Sequence, residues 1–187
     1  MLAGRREETE EEPEMDDKLI GRMKDDRGWL ARQMEKVGPF KGYLENSTIW
    51  EADKMIREEI ARRLTEVKTP VNAAIRKAGQ DVRAGEQLSA LERLLNQVDR
   101  AVNKVRFADY GHSAVSAKIK IREADLARLL AADRQMFTRL EQVENAGTAL
   151  GESGPAGLES ALNGFEGQFG ERKKTLVAAA DAGGKES

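Results

Sequence analysis

Residues 88–105 read LSALERLLNQVDRAVNKV, and this stretch indicates the fold more clearly than any other part of the chain. Its apolar residues recur at steps of three and four: Leu88, Leu91, Leu95, Val98, Val102 and Val105. Charged and amide side chains fill most other positions, so the pattern is that of an amphipathic helix with a narrow apolar seam. Such a seam is buried only against one or two other helices, and the other apolar seams of the chain are its expected partners.

Similar periodic patterns elsewhere in the chain predict the fold class. They place helices at residues 15–37, 48–78, 88–106, 121–146 and 155–177. Pro70 lies inside the second helix and removes one hydrogen bond, but the apolar seam keeps its phase on both sides, so we expect one kinked helix rather than two. The predicted fold is an all-α, elongated antiparallel bundle of four to five helices, with a long kinked helix hairpin at its centre.

The chain has 187 residues, which is enough for one domain with its own core. We expect a single helical-bundle domain at residues 15–177, with a flexible connector at residues 147–154. Residues 1–14 hold six glutamates, so they are expected to be a disordered acidic arm. Residues 178–187 are expected to be a disordered tail.

Composition excludes several classes of function. Lysine and arginine number 31 against 33 acidic residues, so binding to nucleic acid is not expected. The chain has no cysteine, which excludes disulfides, thiolate metal sites and thiol nucleophiles. No apolar run approaches about 18 residues, so neither a signal peptide nor a spanning helix is predicted. We expect a cytoplasmic location, with the periphery of the inner membrane as the alternative.

Asp133 falls in the phase of the apolar seam of the helix at 121–146. A carboxylate that points into a core needs a cationic partner, and Arg57, Arg106 and Lys120 are the candidates. A slight rotation of the helix would instead place Asp133 at the rim of the core. The candidate structural polar network comprises Asp53, Arg57, Arg106, Tyr110, Lys120 and Asp133.

Residues 106–113 are chemically the densest stretch and hold the only histidine. A catalytic interpretation would make His112 a base oriented by Asp109, but no nucleophile motif accompanies them. We therefore predict no catalytic residue, no cofactor and no metal ligand. The basic triplet at residues 172–174 is interpreted as a solvated helix face. The glycines of the last predicted helix indicate either close helix packing or marginal order.

Two stretches resemble a family of bacterial helical proteins that has no assigned activity. The first shares Gly42, Tyr43, Glu45, Glu51, Ala52, Asp53, Lys54, Arg57, Glu58, Ala61, Arg63 and Leu64 with the family pattern. The second shares Val105, Arg106, Ala108, Tyr110, Gly111, Lys120, Leu126 and Asp133. The match spans roughly residues 38–140, and His112, Ser113 and Pro70 depart from it. Members of that family are often encoded near prohibitin-like membrane-scaffold proteins and phage-shock-type stress proteins, so the resemblance implies a helical accessory or scaffold protein.

The pattern of matched seams and few reactive groups predicts a non-enzymatic scaffold or adaptor. It would act by self-association or by docking on a protein, and the resemblance points to membrane-stress or envelope maintenance. One alternative is a peripheral membrane protein, because Trp29 and two methionines lie on one predicted helix face; packing of that face onto the bundle is preferred. A second alternative is a bundle that binds a metal ion through carboxylates alone.

Overall fold

The computed structural model describes residues 21–22, 24–29, 32, 49–108 and 123–184. All five elements with defined bounds are helices: α1 (Ile49–Ala78), α2 (Gly85–Arg106), α3 (Glu123–Thr148), α4 (Leu150–Ser153) and α5 (Pro155–Gly184). Residues 24–29 are helical as well, and no strand occurs in the described part of the chain. The predicted all-α bundle is therefore confirmed.

The four long helices form two antiparallel hairpins that pack on each other. α1 pairs with α2, and α3 pairs with α5. α1 also lies beside α3, and α2 lies beside α5, which leaves α1 diagonal to α5 and α2 diagonal to α3. At 30 residues each, α1 and α5 are about 45 Å long.

Cross-helix contacts give the relative directions of the helices. Lys68 Nζ donates to Asp99 at 2.7 Å, whereas Arg57, earlier in α1, reaches the carbonyl of Arg106, later in α2. The numbering therefore runs in opposite senses along α1 and α2. The numbering runs in the same sense along α2 and α5, which belong to different hairpins, since Gln97 contacts Asn163 and Lys104 contacts Glu166.

The core is built from the seams that the sequence predicts, with one difference in α2. Its buried apolar residues are Leu91, Leu94, Val98, Ala101, Val102 and Val105. Leu88 and Leu95 are only partly buried. The seam is wider than the predicted narrow stripe because α2 has two neighbours, α1 and α5, and each covers its own edge of the helix.

α1 continues without interruption through Pro70, as the phase of its seam predicts. The bend expected there stays a prediction. At this level α1 and α3 approach closely, because a Cβ added at Gly147 would lie 3.0 Å from Val67 Cγ1 and 3.7 Å from Pro70 Cγ. Glycine suits this close approach, since with a larger residue Val67 would have to shift by a few tenths of an ångström.

Three other sequence-based boundaries are wrong. The last helix does not end at 177 but continues to Gly184, with Ala179 and Ala180 buried. The alanine-rich sequence there favours helix, and burial of its small side chains adds packing. The connector at 147–154 is mostly helical, comprising the end of α3 and all of α4, and the chain turns at Gly154, which has a φ of 70°. α2 starts at Gly85, three residues earlier than predicted.

Several predictions fall outside the described residues. These are the acidic arm at 1–14, the positions of Tyr110, His112 and Lys120, and most of the helix expected at 15–37.

Candidate functional site

Three charged side chains meet inside the bundle, although each is almost completely buried. Asp53 of α1, Asp133 of α3 and Arg172 of α5 are 2%, 1% and 1% exposed. Arg172 Nε donates to Asp133 Oδ1 at 2.5 Å, and Arg172 Nη1 donates to Asp53 Oδ1. One guanidinium therefore bridges two carboxylates, one from the neighbouring helix of its own hairpin and one from the diagonal helix.

Arg57 extends this arrangement to the fourth helix. Its Nε donates to Asp53 Oδ2 at 2.7 Å, and its Nη1 donates to the carbonyl oxygens of Arg106 at 2.9 Å and Val105 at 3.4 Å. These carbonyls belong to the last turn of α2, where no further helical N–H follows and a cation is favoured by the helix dipole. We call Asp53, Arg57, Asp133 and Arg172 the core ion cluster; through these bonds it joins all four long helices.

When all four side chains of the core ion cluster are ionised, it carries two positive and two negative charges and therefore no net charge. Burial raises the pKa of Asp133 above its usual range, while the charge and hydrogen bond of Arg172 lower it and the charge of Asp53 raises it. Asp133 Oδ2 is buried and has no hydrogen-bond partner among the described residues. The cost of ionising Asp133 is thus reduced mainly by Arg172.

The structure brings together three of the six residues in the predicted polar network, namely Asp53, Arg57 and Asp133. Arg106 contributes its carbonyl oxygen only, and its side chain is exposed. Tyr110 and Lys120 lie outside the described residues. Of the two positions considered for Asp133, the buried one is confirmed.

The partner of Asp133 was missed, because Arg172 was interpreted as part of a solvated basic triplet. The sequence does contain a signal for its burial. The seam of α5 runs through Leu158, Leu162, Phe165, Phe169, Arg172 and Leu176 at alternating steps of four and three. Arg172 thus occupies a core position of α5, just as Asp133 does in α3, and two opposite charges in two seams predict a buried pair.

A second set of contacts holds residues 24–29 on the bundle. The ring of Trp29 packs edge-on against Phe137 of α3, with centroids 5.9 Å apart and an interplanar angle of 70°. The guanidinium of Arg134 lies 5.6 Å from the Trp29 ring, and its Nη1 donates to Asp26 at 2.8 Å. Trp29 is therefore used for packing on the bundle, the preferred of the two interpretations of its helix face.

Phe137 also receives a cation from the other hairpin. The guanidinium of Arg63 in α1 lies 5.8 Å from the Phe137 ring centroid. Its Nε and Nη2 donate to the two oxygens of Glu144 at 2.7 and 2.5 Å, and this bond raises the pKa of Arg63. A two-point pair of this kind fixes the position of α1 along α3.

Two of the surface grooves in the described part have charged side chains in their lining. One, of about 590 Å³, lies between the α1–α2 turn and the α4 region and includes Lys77, Asp81 and Glu152 in its lining. The other, of about 360 Å³, lies between α2 and the beginning of α5 and is lined in part by Arg93 and Arg100.

The described residues contain no group of three or more histidine, cysteine or acidic side chains arranged to hold a metal ion. None of the described helices is both long and apolar enough to cross a membrane. Comparison of the chain with protein-family models, curated proteins and solved structures finds no match in any of the three. The family resemblance of residues 38–140 stays a prediction.

Proposed function

We propose that the protein is a non-enzymatic helical scaffold or adaptor, which acts by self-association or by docking on a protein partner. The observation that carries this proposal is the burial of the core ion cluster. Its carboxylates and Arg172 are 1–2% exposed, so a substrate does not reach them, and their hydrogen bonds join helices to one another. This set of buried ionisable groups thus serves architecture.

The described surface also indicates the kind of contact that such a scaffold would make. The seam of α5 does not offer an apolar surface for self-association, because its large apolar side chains are buried in the bundle. Val82 and Phe107 are the exposed large hydrophobic side chains of the described residues, at 102% and 73%. Charged side chains dominate the rest of that surface, so the contacts we propose are mainly electrostatic, and their strength depends on salt.

Sedimentation velocity across roughly 1 to 100 µM protein tests the proposal, because this range covers association of moderate affinity. We expect a concentration-dependent increase in mass at about 50 mM salt that becomes smaller at about 500 mM, where charges are screened beyond a few ångströms. A monomer at every concentration and salt, which also carries no bound protein when isolated from its natural source, would contradict the proposal.

The link to membrane stress or envelope maintenance rests on the family resemblance alone. Flotation with vesicles that contain anionic lipids tests the peripheral-membrane alternative, and titration with divalent cations tests the carboxylate-only metal alternative. Co-flotation with the vesicles, or an increase in melting temperature with the metal, would favour the corresponding alternative over the scaffold.

A further inference from the structure

Cations without an ion pair or a side-chain hydrogen bond lie in two parts of the described structure: at residues 22–32, where they are Arg22, Lys24, Arg27 and Arg32, and at residues 76–106. In described residues 49–108 and 123–184, most lysine and arginine side chains make an ion pair or a hydrogen bond. Six make neither, and all lie within residues 76–106: Arg76, Lys77, Arg83, Arg93, Arg100 and Arg106. This segment holds seven basic residues against four acidic ones, although the whole chain is slightly acidic.

Two of these cations line the groove between α2 and the beginning of α5. Arg93 and Arg100 are exposed and seven residues apart, so they lie on the same side of α2. Their separation along the helix axis is about 10 Å. Buried Leu94 and partly buried Ala90 provide an apolar part of the lining, and exposed Asn96 adds a polar side chain. The groove thus offers two guanidinium groups at a fixed spacing, a geometry suited to carboxylates.

The chain itself contains a segment of matching chemistry. Residues 7–14 read EETEEEPE, with six glutamates among eight residues. In a polyproline II conformation, which has three residues per turn, Glu8 and Glu11 would lie on the same side of the segment and about 9 Å apart, since each residue spans about 3.1 Å. This distance is close to the axial spacing of Arg93 and Arg100.

We propose that residues 7–14 of a second copy of this chain bind in the groove between α2 and α5, with their carboxylates on Arg93 and Arg100. The inference rests on the proposed function and specifies how self-association occurs. The second copy follows from the self-association of the proposed function, and binding within one copy is the alternative that the test separates from it. Asp26 and Trp29 attach residues 24–29 to α3, which is diagonal to α2, so these residues do not lie beside the groove.

Glu159 of α5 also lines the groove and makes no ion pair in the described structure. The negative charge of Glu159 repels an acidic segment. The segment is therefore expected to lie on the α2 side of the groove. Glu159→Gln removes this repulsion, and the proposal requires it to strengthen self-association.

Two full-length charge-reversal variants test the proposal. The groove variant is Arg93→Glu/Arg100→Glu, in which the groove becomes acidic and repels the acidic segment. The arm variant is Glu8→Arg/Glu11→Arg, in which the segment carries arginines that the basic groove repels. Each variant alone should self-associate at least about tenfold more weakly than the wild type. An equimolar mixture of the two should associate, because each copy then supplies the charges that the other requires. Sedimentation velocity measures all three samples, and circular dichroism checks that each variant is folded.

Arg76→Glu/Arg83→Glu is the matched control, since it makes the same charge change on the same hairpin but outside the groove. It should self-associate like the wild type. Two results would overturn the inference and leave the scaffold proposal standing. In the first, the wild type self-associates and the groove variant does so equally well. In the second, the control variant loses as much self-association as the groove variant. It is likewise overturned if the mixture of groove and arm variants stays monomeric, which would assign the segment to its own copy or to another surface. A monomeric wild type would overturn the inference and self-association together, leaving only docking on a different protein.

Discussion

The substitution Arg172→Met tests whether the core ion cluster holds the bundle together. Methionine keeps much of the length of the arginine side chain but removes its charge and its donors. The variant removes the hydrogen bonds that Arg172 donates to Asp133 and to Asp53, while the bond from Arg57 to Asp53 remains. Removing one partner of a buried ion pair costs about 3–5 kcal/mol, because the remaining charge is then buried without compensation.

This loss is large relative to the stability of a domain, which is about 5–15 kcal/mol. For a chain of this size each kcal/mol shifts the melting temperature by about 2–4 °C, so we expect a decrease of roughly 6–20 °C. Urea denaturation followed by far-UV circular dichroism measures the free energy of unfolding directly. Arg172 is buried, and the cluster connects it to three other helices. The unfolding transition of the variant should therefore remain a single cooperative step only if the rest of the core still holds the helices together.

Lys174→Met is the matched control on the same helix. The side chains of Lys174 and its partner Glu171 are 75% and 66% exposed. An exposed pair of this kind contributes about 0–1 kcal/mol, so the same substitution two residues further along should change stability little. The reasoning is refuted if Arg172→Met costs less than about 1 kcal/mol, or if the two methionine variants are equally destabilised.

The pH dependence of stability gives an independent check that Arg172→Met acts through the loss of its contact with Asp133. Burial raises the pKa of Asp133 in the folded protein. A carboxyl group whose pKa is higher in the folded state binds its proton more tightly there, so its contribution favours the fold at low pH and is lost as pH rises through the folded-state pKa. Loss of Arg172 removes an interaction that lowers this pKa. The stability deficit of Arg172→Met should therefore shrink as pH falls from about 7 to about 5, and should shrink less when Asp133→Asn is also present.

Two further outcomes are expected from packing contacts. Gly167→Ala should raise the free energy of unfolding by about 0.5–1 kcal/mol in urea denaturation, because the added Cβ meets no atom within 4 Å and alanine favours helix. Gly147→Ala should lower it, because the Cβ would lie 3.0 Å from Val67 Cγ1, and equal effects of the two substitutions would contradict this. Trp29→Ala should destabilise by about 1–3 kcal/mol through loss of the half-buried ring and its contact with Phe137, and no change in melting temperature would show that residues 24–29 do not stabilise the bundle.

The helices and most of the core could be predicted because both depend on local periodicity. In α1, for example, Ile56, Ile60, Leu64 and Val71 have helical spacing in the sequence and are all buried. The pairing of the helices could not be predicted in the same way. Apolar side chains pack on many partners, and nothing in a seam of leucine and valine specifies whether α3 lies beside α1 or diagonal to it.

Polar residues in the seams carry that missing information, but only when they are considered as pairs. Asp133 alone left two alternatives open, since a charged residue in a seam can be either buried with a partner or rotated to the rim. The identity of the partner depended on Arg172, 39 residues further along the chain, which looks like an ordinary surface arginine beside Lys173 and Lys174. The glycines of α5 left two interpretations open, close helix packing or marginal order. Close packing does not apply at Gly157, Gly167 or Gly170, where an added Cβ meets no atom within 4 Å.

The core ion cluster therefore limits which arrangements of these helices are stable. A shift of α5 by one heptad along α3 moves it by about 10 Å and still matches apolar residues with apolar residues. The same shift carries Arg172 away from both Asp133 and Asp53 and breaks the buried hydrogen bonds that join them, at a cost of several kcal/mol. The apolar seams favour association of the helices in several registers, whereas the cluster is satisfied when Asp53, Asp133 and Arg172 lie at one level. Packing thus supplies most of the stabilisation, and the buried charges select the register.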